Sequence, residues 1–169
     1  AYNYYLLVRA YGDVPLVEDV VDVDQTETLY SSRTNRNDVM DFALEDLNYA
    51  VKNIATQSSK TYFSKDLANA MKAEICLFEG TYSKYVAQNT ARATTYLKET
   101  VDACEAIMNN AEYALGDYKM LYNSHNGELA SNPEVILAKC YKQGVFMHSV
   151  VDWTSGSTPI SGISKDAFD

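Results

Sequence analysis

Residues 64–85 read SKDLANAMKAEICLFEGTYSKY, and this stretch decides the fold. Met71, Ile75, Phe78, Tyr82 and Tyr85 recur at spacings of three and four, which makes one stripe of a helix. Ala70, Ala73, Leu77 and Gly80 make a second stripe, mostly of small residues. A helix apolar on two sides is buried between two neighbours, and the small stripe lets one neighbouring backbone come close. Ser64 supplies a hydroxyl where an N-cap is needed, so the helix is expected from there to about Tyr85.

The flanking segments supply the neighbours. From about Asn37 to Ile54, Val39, Ala43, Leu47, Ala50 and Ile54 form an apolar stripe. Asp38, Asp41, Glu45, Asn48 and Lys52 face the other way, and the early acids suit the helix dipole. From about Thr90 to Asn109, Ala93, Leu97, Val101, Cys104 and Met108 are expected inward. The chain opens on AYNYYLLVRAY, a helix with so few polar positions that burial on more than one side is expected. Gly12 fits its left-handed C-cap, and Pro15 forces an extended exit. Residues 13–33 are mostly polar, with the acidic run EDVVDVDQTET, and read as a surface connection.

Consecutive amphipathic helices joined by short loops predict a mainly α, tetratricopeptide-like stack over about residues 1–115. The pattern changes after that. Residues 116–169 read as a loop-rich part with one strand, EVILAKCYK at 134–142, followed by a Gly-, Ser- and Thr-rich tail. Loops on a rigid scaffold commonly carry binding.

Composition narrows the function. The 169 residues carry 23 acidic against 14 basic side chains, a net charge of −9, with Arg33 and Arg36 the nearest approach to a basic cluster. Phosphates would be repelled, so no nucleic-acid partner is expected. Fourteen tyrosines favour flat faces with polar tips, as at interfaces, sugar platforms or plain helix–helix edges. Cys76, Cys104 and Cys140 have no metal-ligand spacing, and their odd number forbids a complete set of internal bridges. His125 and His148 lack helical partners, so neither metal nor other cofactor is expected. No nucleophile elbow or glycine-rich phosphate loop is present, and nothing selects a catalytic pair among the acids; the chain does not read as an enzyme.

Several segments, in order, resemble one family: the SusD/RagB outer-membrane nutrient-binding lipoproteins. They are AYNYYLLVRAYGDVPLV (1–17), RNDVMDFALEDLNYAVKNI (36–54), KDLANAMKAEICLFEGTY (65–82), AEYAL with DYKMLYN (111–123), and NPEVILAKCY (132–141). YGDVPL is the most specific of them. The resemblance implies a glycan ligand captured at the extracellular face of the outer membrane and passed to a TonB-dependent transporter. It implies membrane attachment only through a lipid anchor outside these residues. It also implies a single partial domain truncated at both ends, so that Tyr2, Tyr4 and Tyr5 would pack against parts of the protein outside this sequence. A helical-repeat scaffold for protein partners is the alternative the stack alone allows.

For a glycan contact the segment HSVVDWTSGS at 148–157 is the candidate. Trp153 can offer its face to the C–H side of a pyranose, while Asp152 and His148 serve the hydroxyls. The competing assignment has Trp153 plugging its loop onto the helical stack.

Overall fold

In the computed structural model, residues 1–55, 59–123, 128–142, 144–145 and 147 are described. The fold is mainly α. Helix α1 spans Tyr2–Tyr11, α2 Thr26–Leu29, α3 Arg36–Asn53, α4 Lys65–Tyr85, α5 Thr90–Met108 and α6 Tyr118–Asn123, with a 3-10 turn at Glu128–Ser131.

Each long helix starts where its capping chemistry sits. Asn35 accepts from the N–H of Asn37 at 2.9 Å, and Asp13 accepts from that of Arg36 at 2.8 Å, so two side chains satisfy the start of α3. Ser64 accepts from Leu67 N–H at 3.1 Å to open α4, and Asn89 from Arg92 N–H at 3.1 Å to open α5. Gly12 ends α1 with φ 72°, a region in which its lack of a Cβ removes the steric cost.

The sandwiched helix is α4. Tyr5 and Val8 of α1, Val39, Met40 and Leu47 of α3, and Ile75 of α4 build the main core with Val14. Phe78 meets Tyr5 edge-on with ring centroids 5.4 Å apart, and Tyr4 meets Phe42 likewise at 6.0 Å. On the other side α4 and α5 run antiparallel: Lys72 pairs with Glu99, Glu79 with Arg92, and Gly80 lies under Leu97. A Cβ at Gly80 would stand 2.8 Å from Leu97 Cγ and 3.1 Å from its backbone nitrogen, so the helices approach as closely as glycine permits.

Several expectations are corrected. Helix α1 buries Tyr5 and Val8 only on one side; Leu6 and Leu7 are each 40% exposed. Tyr4 and Tyr5 pack within this chain, and the Tyr4 hydroxyl both donates to Val17 C=O (2.8 Å) and accepts from Val17 N–H (2.7 Å), pinning the VPLV exit. The inward face of α5 is Ala93, Tyr96 and Ala103, whereas Val101 and Met108 are exposed. The rotation follows from the partner: α5 meets a face of α4 made of Lys72, Cys76, Glu79, Gly80 and Ser83, which small and polar-tipped residues fit better than long aliphatics. The connection over 13–33 holds the single-turn α2 and an antiparallel bridge between Val14 and Thr34. The expected strand at 134–142 makes no ladder over residues 134–141; Ala138 N–H instead donates to the carbonyl of Lys60 at 2.8 Å.

Candidate functional site

Among the described residues, two places gather polar or concave chemistry, and they differ in kind. The first lies between α3, α4 and α5. Glu79 is fully buried and holds two guanidinium groups: Arg36 donates through Nη1 and Nη2, and Arg92 through Nε at 2.7 Å. Arg92 also donates to Asp41, to the Asn37 carbonyl at 3.0 Å and to Tyr96 Oη at 3.2 Å, while Tyr96 donates to Asp41. Arg36 stacks its guanidinium 3.8 Å from the centre of the Tyr82 ring. Two cations against two carboxylates leave the cluster neutral.

Its electrostatics follow from burial. Desolvation works against the charge on Arg92, but its hydrogen bonds to Asp41 and Glu79 outweigh that and keep its pKa above the ordinary value. Burial, reinforced by the bond to Asp41, pushes the Tyr96 hydroxyl up, so it stays a neutral donor. Among the described residues no buried side-chain nitrogen or oxygen lacks a partner. With Glu79 closed to solvent and its carboxylate shared by two guanidinium groups, the cluster ties three helices together.

The second place is the junction between the stack and the loop-rich part. An open cleft of about 280 Å³ is lined by Ile107 and Met108 at the end of α5, Tyr113 to Leu115, and Pro133, Glu134 and Ile136. Its walls are held by a polar clip from the loop before α4. Lys60 Nζ donates to Asn132 C=O at 2.7 Å and lies 5.0 Å from the Tyr113 ring centre. Tyr113 Oη and Asn110 Nδ2 both donate to Asp66, and Gly116 N–H donates to Glu134 at 3.0 Å. Burial, then the Asp66 carboxylate, pushes Tyr113 up to about 12. Further along the chain, Tyr118 and Tyr122 stand one helical turn apart on α6, rings 4.7 Å apart and both well exposed.

His148, Asp152 and Trp153 lie outside the described residues, so none of the three can be related to this cleft. Sequence reading missed Glu79 and the Lys60 clip. A signal for Glu79 existed: it sits with Lys72, Cys76 and Ser83 at spacings of three and four inside a helix whose other faces are apolar. Asp41 is half solvated, as its place on the outer stripe implied, yet it is also engaged by Arg92 and Tyr96. Among the described residues no group of three or more His, Cys, Asp or Glu could hold a metal ion, and no helix is long and apolar enough to cross a membrane.

No protein-family model matches the chain, and no solved structure matches it significantly. Among curated proteins, a SusD-like protein of Formosa agariphila is 35% identical over 99 residues. That similarity covers 54% of this chain but only 19% of the relative, so the matched region is a minor part of the relative's length.

Proposed function

We propose that this chain is part of a SusD/RagB-type nutrient-binding lipoprotein that captures an oligosaccharide at the outer face of the outer membrane and hands it to a TonB-dependent transporter. The observation that carries the reading is the 35% identity over 99 residues to a SusD-like protein. The mainly helical stack agrees with it. Capture and hand-over need no covalent step, no cofactor and no catalytic residue. Recognition would fall to Trp153, stacking on a sugar ring, with Asp152 and His148 bonding to hydroxyls. A lipid anchor would hold the protein at the surface.

Affinity gel electrophoresis against a panel of soluble polysaccharides, with Trp153→Ala alongside, tests this. Selective retardation by one glycan, without chain shortening on thin-layer chromatography and lost in the variant, is expected. Equal retardation of the variant would remove Trp153 from the site. Shortened products would make the protein a hydrolase, and no retardation by any glycan would overturn the glycan reading.

A further inference from the structure

We draw no further inference here: the strongest candidate, the exposed Tyr118–Tyr122 ring pair on α6, is an unpartnered aromatic face, and nothing in the structure shows what covers it.

Discussion

The stack and the loop-rich end solve the problem of holding their parts together in opposite ways. Between α3, α4 and α5 the tie is polar and closed: Glu79 is wholly buried, and Arg36 and Arg92 reach it from the helices on either side. At the end of α5 the tie is a few hydrogen bonds around an apolar cleft that stays open. A network centred on a buried, fully partnered carboxylate fixes geometry; a half-open apolar surface leaves area available. Rigidity and availability therefore lie at different ends of the same short fold.

The largest effect should come from breaking the closed end. Glu79→Ala leaves two guanidinium groups without their shared carboxylate, and loss of one partner from a buried pair costs about 3–5 kcal/mol. Urea unfolding should show it as a shifted midpoint; a change below about 1 kcal/mol would mean the arginines escape to solvent, and the cluster is not the tie described. Gly80→Ala comes next. The added methyl meets Leu97 at 2.8 Å, and overpacking costs about 1–3 kcal/mol, against roughly 0.5–1 kcal/mol returned by alanine's better helix propensity. Adding Leu97→Ala to Gly80→Ala should cost less than the sum of the two single changes, because it frees the space; simple additivity would place the clash elsewhere.

At the open end the effects are smaller and local. Lys60→Ala removes the bond to Asn132 and the contact with Tyr113, worth on the order of 1 kcal/mol. Hydrogen exchange should speed up at Ala138, whose N–H is bonded to Lys60 C=O, while α3 to α5 keep their protection. Equal loosening of both regions would erase the distinction drawn between them.

Alkaline pH gives the mildest test. Tyr113 is raised from 10.0 to about 12, and Cys76, pushed up by burial, from 9.0 to about 12. The unfolded chain releases both protons first, so their stabilisation is complete below about pH 9 and is lost as pH rises toward 12. Denaturation midpoints should fall from pH 8 to pH 10.5, and Tyr113→Phe should flatten part of the slope. A midpoint that rises over this range would contradict the assignment. Exposed Cys140 should react with a thiol reagent at pH 8, and buried Cys76 only on unfolding.

What the sequence disclosed follows the same division. Helices α3 and α4 were legible because a 3.6-residue period, Ser64 at the cap and an acidic outer stripe all agree. The small-residue stripe containing Gly80 marks the close approach, which Leu97 makes. The face of α5 is not legible from its apolar spacing, because the neighbouring helix presents glycine, serine and a carboxylate, against which Ala93, Tyr96 and Ala103 are buried while Val101 and Met108 stay exposed. Glu79 and Arg36 are 43 residues apart and Glu79 and Arg92 13; pairs of that kind have no local periodicity to betray them. The apolar run at 134–142 has strand composition, but composition does not supply a neighbouring strand, and Ala138 finds a loop carbonyl instead. The expected site residues belong to a segment without any period, so their arrangement was never legible.

Hydrogen–deuterium exchange with the retained glycan present and absent tests the proposed glycan capture most directly. The account predicts protection gained around His148 to Trp153 with α3, α4 and α5 unchanged. Protection gained along the Arg36–Glu79–Arg92 face, or at no segment, would contradict it.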